Sequence, residues 1–146
     1  MMSKDLEIIE EIKGTDNLED VCRILHQRKD TYDWVGIYLV GENHRLELGP
    51  FVGEDTEHKE IPFGSGVCGR VAVDNETIIV DDVSREQEYL SCSPKVKSEI
   101  VVPIIKDGIM LGEIDVDSHT LNAFDNEDEA LLKEVADLIV KSDMIG

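Results

Sequence analysis

The 146-residue sequence is poor in basic residues and contains no long apolar run. It has 14 Lys and Arg against 33 Asp and Glu, which gives a formal net charge of −19 at pH 7. Such a negative field repels nucleic acid phosphates and anionic lipid head groups, so we expect neither nucleic acid nor a membrane as a partner. No run approaches the roughly 20 apolar residues of a membrane span, and the N-terminus has no apolar signal region. We therefore expect a cytoplasmic protein.

Closely spaced cysteines are also missing. The three cysteines are Cys22, Cys68 and Cys92, and no two of them form a Cys-x-x-Cys pair. An odd number of cysteines without such a pair argues against a disulfide framework and against a zinc ribbon. Cys68, Cys92, His58 and an aspartate could gather around zinc, but the usual short ligand spacings are absent, so we expect no metal.

Apolar periodicity and turn residues predict a single domain over residues 1–146. The predicted elements are helices around Leu6–Ile12 and Leu18–Leu25, strands Trp34–Val40, Arg45–Phe51, Thr77–Val80, Glu99–Ile105 and Ile109–Asp117, and helices Val67–Asp74 and Asp125–Ile139. Ser65 and Asn126 are the expected N-caps of the last two helices. This order indicates an α+β fold in which helices at both chain ends flank a central antiparallel β-sheet.

Three carboxylates alternate along the last predicted strand. In Glu113-Ile114-Asp115-Val116-Asp117, the period of two places the three acids on one face of the sheet. Charged residues are mostly exposed, so a solvated face is the default interpretation. The neighbouring strand, residues 99–105, is a nearly continuous apolar run, which indicates instead that both faces are covered. Carboxylates crowded under such cover would raise one another's pKa, and at least one would stay protonated near neutral pH.

The cysteines differ in their expected surroundings. Cys22 follows the apolar face of the second helix, so we expect a core residue. Cys68 lies in the first turn of a helix, where unpaired N–H groups and the helix dipole favour the thiolate. Cys92 lies in a long polar segment, beside small residues and close to Lys95 and Lys97. Either of the last two cysteines could be incidental, but two of them outside the predicted core indicate reversible disulfide chemistry.

Several segments follow one another in the order and with the gaps of a known family. They are residues 34–39, 48–53, 61–69, 98–103, 115–118 and 123–125. Together they resemble the free methionine-(R)-sulfoxide reductases, a catalytic branch of the GAF domains, from about Asp33 to the last helix. The resemblance implies a GAF-like fold and an oxidoreductase that needs neither a metal nor an organic cofactor.

The resemblance also implies roles for individual residues. The catalytic cysteine matches Cys92, and a resolving cysteine matches Cys68. The implied substrate-binding residues are the carboxylates Glu99, Asp115 and Asp117 and the aromatic residues Trp34 and Tyr38. Cys92 would attack the sulfur of free methionine sulfoxide, the resulting sulfenic acid would condense with Cys68, and thioredoxin or a similar dithiol would reduce the disulfide.

One position departs from the family pattern. Many members carry a third cysteine ten residues before the Cys68 position, where this chain has His58. This difference leaves the number and order of thiol exchanges open. The alternative function is a GAF module that senses a small molecule or the redox state without catalysis. A homodimer is compatible with the sequence under either function.

Overall fold

The computed structural model describes residues 3–86, 89 and 93–145 of the chain. The helices are α1 (Ser3–Lys13), α2 (Leu18–Arg28), α3 (Gly66–Asp74) and α4 (Asn126–Lys141). The strands are β1 (Trp34–Val40), β2 (Arg45–Val52), β3 (Glu60–Pro62), β4 (Ile78–Val80), β5 (Ser98–Lys106) and β6 (Ile109–Ser118). A short 3-10 turn, Val83–Arg85, follows β4.

The six strands form one antiparallel sheet in the order β3-β2-β1-β6-β5-β4. The hairpins β1–β2 and β5–β6 are the two that the turn residues predict, and β6 joins them by pairing with β1. This arrangement confirms the predicted α+β fold with an antiparallel sheet flanked by helices from both chain ends.

The helices divide between the two faces of the sheet. Helices α1, α2 and α4 share one apolar core with strand residues such as Ile37, Ile100 and Ile114. Helix α3 packs on the opposite face, where Val71 and Val101 belong to a second apolar cluster. We call this second side the α3 face. No helix within the described ranges combines the length and the apolar character needed to cross a bilayer.

The N-termini of the last two helices differ from the prediction. Asp125, not Asn126, caps α4: its carboxylate accepts hydrogen bonds from the backbone N–H groups of Glu127 and Asp128. Asp128 in turn accepts from the backbone N–H of Asp125, which completes a capping box. Ser65 holds the N-cap position of α3 as expected, but its side chain makes no capping hydrogen bond.

A buried polar network joins α1 and α4 to the segment before β1. The Tyr32 hydroxyl donates to Asp128 Oδ1 at 2.7 Å, and Lys29 Nζ lies 3.2 Å from Asp5 Oδ1 and 3.6 Å from Asp128 Oδ1. Asp5 and Asp128 are 3% and 7% exposed. Their shared cation and the tyrosine donor offset the cost of burying two carboxylates.

Cys22, on α2, lies in the core that α1, α2 and α4 share, as its position on the apolar face predicts. Its side chain is fully buried, and Sγ donates to the Pro50 carbonyl at 3.6 Å. Burial raises the pKa of the Cys22 thiol to about 12. The thiol is therefore neutral near pH 7, and its role is to fill the core.

Candidate active site

The α3 face of the three central strands carries acidic and aromatic residues in register. A row consists of three residues that pair across the sheet, one each from β1, β6 and β5. The three rows are Trp34–Asp117–Glu99, Gly36–Asp115–Val101 and Tyr38–Glu113–Pro103. Neighbouring side chains in a row, and those two positions apart on one strand, are close enough to interact. The register therefore brings four carboxyl groups together beside two aromatic rings.

Gly36 makes room for Trp34 within these rows. A Cβ atom at position 36 would lie 2.3 Å from Trp34 Cη2 and 2.5 Å from Cζ3, so the indole lies directly over the glycine. The other side of the indole stacks on Phe51, with ring centroids 5.6 Å apart. The missing side chain thus lets the Trp34 ring lie flat along the strand, against the Asp115 row.

Residues 53–59, which connect β2 to β3, form a roof loop over this surface. The Trp34 Nε1–H donates to the Glu54 carbonyl at 2.9 Å, and the Tyr38 hydroxyl donates to the His58 carbonyl at 2.8 Å. On the outside, Lys95 Nζ lies 3.3 Å from Glu54 Oε1. The roof loop is therefore held to both aromatic residues and to the segment that follows residue 92.

Helix α3 brings Cys68 down onto the acidic rows. A Cβ on Gly69 would lie 2.8 Å from the Pro62 carbonyl oxygen and 2.9 Å from Gly64 N, so a glycine is needed for this close approach. Cys68, in the first turn, is 5% exposed, and its Sγ donates to Asp115 Oδ2 at 3.4 Å. The thiol and the aspartate are thus in direct contact.

These groups enclose a cavity of about 10 Å³, which is room for roughly one water molecule. Six of the seven residues implied by the resemblance line it, namely Trp34, Tyr38, Cys68, Glu99, Asp115 and Asp117. His58, the position that departs from the family pattern, lines it as well. The seventh implied residue, Cys92, lies outside the described residues. The structure brings the six together, and their catalytic and binding roles stay predictions.

The acidic face is covered, so the default interpretation of a solvated face is wrong. Glu113, Asp115 and Asp117 are 0%, 5% and 3% exposed, and Glu99 is 2% exposed. Helix α3 and the roof loop supply the cover that the apolar run of β5 indicates. Four buried acids in one place need neutralisation, because an ionised carboxylate is very costly in a low-dielectric interior.

Protons supply that neutralisation. Burial raises the pKa of Glu99, the charges of Asp115 and Asp117 raise it further, and hydrogen bonds to both aspartates favour its protonated form. Burial also raises the pKa of Asp115, although hydrogen bonds from Glu99 and Cys68 oppose the shift. If both groups were ionised, Glu99 Oε1 and Asp115 Oδ1 would have no donor among the described residues. The site therefore holds protonated carboxyl groups near neutral pH, as crowding predicts.

The prediction that the helix start favours a Cys68 thiolate is wrong. Burial raises the pKa of Cys68 well above its ordinary value, and the charges of Asp115, Glu113 and Glu99 raise it further. The partial charge at the end of a nine-residue helix is worth about 2 kcal/mol at most, which cannot offset burial among three acids. Cys68 is a neutral thiol in this arrangement.

Some site residues carry a weak signal or none in the sequence. Thr56 and Ser65 line the cavity from loop positions that look like ordinary polar connections. Glu113 belongs to the alternating acids, but the resemblance assigns it no role. Its side chain is fully buried, and Cys68 and Asp115 are the groups that act on its ionisation. The alternation therefore placed Glu113 on the same face as Asp115 and Asp117 but did not indicate that Cys68 lies near it.

The same groups are the candidates for holding a cation. Cys68, Glu99 and Asp115 each offer one ligand atom, and these atoms lie within 4.8 Å of one another. The set differs from the one considered from the sequence, which includes Cys92 and His58. A metal ion would have to displace protons from the thiol and from Glu99, because burial raises the pKa of both.

Comparisons with known proteins agree with this geometry. Residues 16–142 match the GAF domain family. Over 113 residues the chain is 44% identical to the free methionine-R-sulfoxide reductase of Saccharomyces cerevisiae. This match covers 75% of this chain and 62% of the yeast protein.

Two solved structures extend the comparison. The type II free methionine-R-sulfoxide reductase from Thermoplasma acidophilum is 38% identical, with a TM-score of 0.82 over 92% of this chain and 94% of that one. The free methionine-R-sulfoxide reductase from Neisseria meningitidis, solved in complex with its substrate, is 34% identical, with a TM-score of 0.85 over 94% of this chain and 84% of that one. In both comparisons the likeness extends over more than nine-tenths of this chain.

Proposed function

We propose that this chain, which belongs to the free methionine-(R)-sulfoxide reductases within the GAF domain family, reduces free methionine-(R)-sulfoxide to methionine. The observation that carries the proposal is a small cavity in which the Trp34 indole lies beside the buried carboxyls Glu99 and Asp115 and the Cys68 thiol. Sulfoxide reduction needs an apolar wall for the methyl group, a proton donor for the oxygen and thiols for the electrons. The cavity lining offers the aromatic wall, the buried carboxyls and one thiol, Cys68, and Cys92 would be the second thiol.

A protonated carboxyl would activate the sulfoxide. Glu99 or Asp117 would donate a hydrogen bond to the sulfoxide oxygen, which makes the sulfur more electrophilic. The raised pKa of Glu99 supports it in this role, since it keeps a proton at a pH where an exposed glutamate has lost it. The methyl group would lie against the indole of Trp34, which is the aromatic wall of the cavity. Asp115, which accepts from Cys68, would be left to face the substrate ammonium.

The substrate would have to widen the cavity in order to enter. A space of about 10 Å³ holds one water molecule and no amino acid. The roof loop would be the wall that moves, because one hydrogen bond each to Trp34 and Tyr38 and the exposed ion pair of Glu54 with Lys95 hold it in place. Closure of this loop over a bound amino acid would leave no room for a continuing peptide chain, which supports a preference for the free amino acid.

The electrons would come from two thiols in turn. The Cys92 thiolate would attack the sulfur and take its oxygen as a sulfenic acid, and methionine would leave. Cys68 would then displace water from the sulfenic acid to form a Cys68–Cys92 disulfide, and thioredoxin or a similar dithiol would reduce it. With His58 at the position of the third cysteine, Cys68 is the partner that the matched motifs provide for Cys92.

Further proposals concern the chain as a whole. We propose that residues 1–146 form one GAF domain, because α1, which precedes the matched range, packs on α2 and α4 in a shared core. Free thiols that depend on a dithiol reductant suit the cytoplasm. Light scattering after size-exclusion chromatography would decide between a monomer and a homodimer.

The proposed reaction can be tested with cysteine variants. With free methionine-(R)-sulfoxide and thioredoxin as reductant, the wild type should produce methionine continuously and Cys92→Ser should produce none. Cys68→Ser should release one methionine per chain and then stop. Cys22→Ala is the control, since Cys22 lies on the other side of the sheet, and it should keep full turnover. Full turnover by Cys92→Ser would contradict the mechanism.

The same assay separates the enzyme from the sensor alternative. A sensor would bind methionine sulfoxide, which the fluorescence of Trp34 in the cavity wall can report, but would form no methionine. Binding by the wild type without any product would therefore favour the sensor.

A further inference from the structure

The cavity beneath α3 and the roof loop is lined by buried ligand atoms and by no basic side chain. Glu99 and Asp115 both line it and are 2% and 5% exposed. Glu99 Oε1 and Asp115 Oδ1 each lack a hydrogen-bond partner among the described residues. In that part of the chain no Lys or Arg belongs to the lining. Buried acceptor atoms without a partner are costly, so a proton or a bound cation has to satisfy them.

The thiol and the two acids have nearly the spacing of a tetrahedral metal site. One ligand atom each from Cys68, Glu99 and Asp115 lies within 4.8 Å of the other two. Metal bonds of about 2.3 Å to sulfur and about 2.0 Å to oxygen place two tetrahedral ligands about 3.5 Å apart. Cys68 Sγ and Asp115 Oδ2 are 3.4 Å apart, so this pair already has the required separation. The Glu99 oxygen has to move by at most about 1.3 Å to reach it.

The mixture of ligand atoms selects the kind of ion. One thiol sulfur and two carboxylate oxygens suit Zn²⁺ and its heavier analogue Cd²⁺, because a thiolate is a soft ligand that both ions bind strongly. Mg²⁺ and Ca²⁺ prefer a shell made of oxygen atoms alone, with at least about six of them. The cavity of about 10 Å³ has room for the one water molecule that would complete four-coordination.

We propose that Cys68, Glu99 and Asp115 form a reversible inhibitory site for Zn²⁺. Binding forms one Zn–S bond and two Zn–O bonds, and the Cys68 thiol and the Glu99 carboxyl group each release a proton to solvent. No electron is transferred, and a chelator that removes the ion returns both groups to their protonated forms. Because the ligands come from α3, β5 and β6, the ion also links the helix to the sheet.

The bound ion would block the proposed reaction, and this consequence rests on the proposed function, whereas binding of the ion does not. Glu99 would have no proton for the sulfoxide oxygen. Cys68 would have no free thiol for the disulfide. The ion would also occupy the small space that the substrate has to widen. Zn²⁺ would therefore inhibit methionine release until it is removed.

Titration of the reduced Cys92→Ser protein with Cd²⁺ tests the site directly. Cadmium bound to a thiolate has an ultraviolet charge-transfer absorption, which carboxylates alone do not produce. The remaining thiol besides Cys68 is Cys22, which lies in the core on the other face of the sheet. The absorption should saturate at one ion per chain and should be lost in the double variant that also carries Cys68→Ser. Zn²⁺ should displace the Cd²⁺, whereas a large excess of Mg²⁺ or Ca²⁺ should not.

Two variants in different strands show whether the carboxyl groups are ligands. Glu99→Gln and Asp115→Asn keep the side-chain shape and remove an anionic ligand, so each should weaken Cd²⁺ and Zn²⁺ binding by at least about tenfold. Either one decides the question if the other fails to fold. Glu42→Gln makes the same chemical change at an exposed position and should leave the affinity unchanged. Unchanged affinity in the buried variants, or metal binding without the thiolate absorption, would overturn the proposal by assigning the ion to the acidic surface.

A single-turnover assay separates the metal site from the proposed function. Reduced wild-type protein, freed of dithiol, is mixed with free methionine-(R)-sulfoxide in the presence or absence of one equivalent of Zn²⁺. Zinc should stop the release of methionine, and a chelator should restore it. Full release from zinc-loaded protein would refute the inhibitory role. Saturation with Cd²⁺ at one ion per chain in a protein that never forms methionine would support the metal site and remove the proposed function alone.

Discussion

Gly36→Ala tests whether the bare position in β1 beneath Trp34 holds the indole against the cavity. The added Cβ would lie 2.3 Å from Trp34 Cη2 and 2.5 Å from Cζ3. Carbon atoms in contact are about 3.5 Å apart, so the ring would have to move by roughly 1.2 Å. A displacement of that size would stretch or break the hydrogen bond from Trp34 Nε1 to the Glu54 carbonyl, now 2.9 Å long.

The expected effect is large for the addition of a single methyl group. Overpacking costs about 1–3 kcal/mol, and a lost hydrogen bond costs about 0.5–1.5 kcal/mol, so the free energy of unfolding should fall by about 2–4 kcal/mol. Because Trp34 also forms the apolar wall for the proposed substrate, a shift of about 1 Å should lower kcat/KM by roughly a hundredfold.

The assays are urea unfolding, methionine production and tryptophan fluorescence. Trp34 is the one tryptophan of the sequence and is 2% exposed, so its emission reports directly on this wall. Gly41→Ala is the matched control, because its Cβ would meet the carboxylate of Glu47, an exposed and flexible side chain, at 2.5 Å. If Gly36→Ala matched Gly41→Ala in emission, stability and turnover, the indole would not depend on Gly36 and the reasoning would be refuted.

Two other predictions concern stability. Burial raises the pKa of Glu113, so the folded chain keeps a proton that the unfolded chain releases; this contribution is complete below the ordinary glutamate pKa and is lost as pH rises through the folded value. The free energy of unfolding, measured in urea from pH 5 to pH 8, should therefore fall less steeply with pH in Glu113→Gln than in the wild type, by up to about 1.4 kcal/mol per pH unit, and equal slopes would contradict this prediction. Tyr32→Phe removes the donor to Asp128 and should cost about 1–3 kcal/mol in thermal or urea unfolding without changing turnover, because Tyr32 lies on the face opposite the cavity. A loss of turnover at full stability in Tyr32→Phe would show that the two faces are coupled.

The sequence was sufficient to predict the larger elements. Apolar periodicity predicts α1, α2 and α4, and turn residues predict both hairpins, because these signals are local. Strand β3 lacks such a signal, because it has only three residues, Glu60–Pro62. These residues form a strand by pairing with β2, and that pairing depends on the folded structure and not on a local pattern. The cap of α4 differs by one position because Asp125 and Asn126 are both good capping residues, and the reciprocal hydrogen bond with Asp128 decides between them.

The members of the site were predictable from the sequence, and the apolar run of β5 also indicated the cover over the acids, whereas the surroundings of Cys68 were not predictable. Alternation identified the acids of β6, and the resemblance added Glu99, Trp34 and Tyr38, all of which the structure brings to the α3 face. Burial decides their protonation, and a pattern of one charged residue in two is the same for a covered and a solvated face. The Cys68 prediction failed for this reason: a helix start is visible in the sequence, whereas three acids beneath the helix are not.

In the proposed thiol mechanism, the position of Cys22 would protect the fidelity of disulfide exchange. An enzyme that cycles through a sulfenic acid risks trapping it with the wrong thiol, and a spare cysteine near the site would form a dead-end crosslink. Cys22 belongs to the core shared with α1 and α4, whereas Cys68 belongs to the cluster on the α3 face, so the hydrogen-bonded sheet stands between them. Scrambling between these two cysteines would require the sheet to open, so the central strands would keep Cys22 out of the proposed thiol chemistry as well as position its residues.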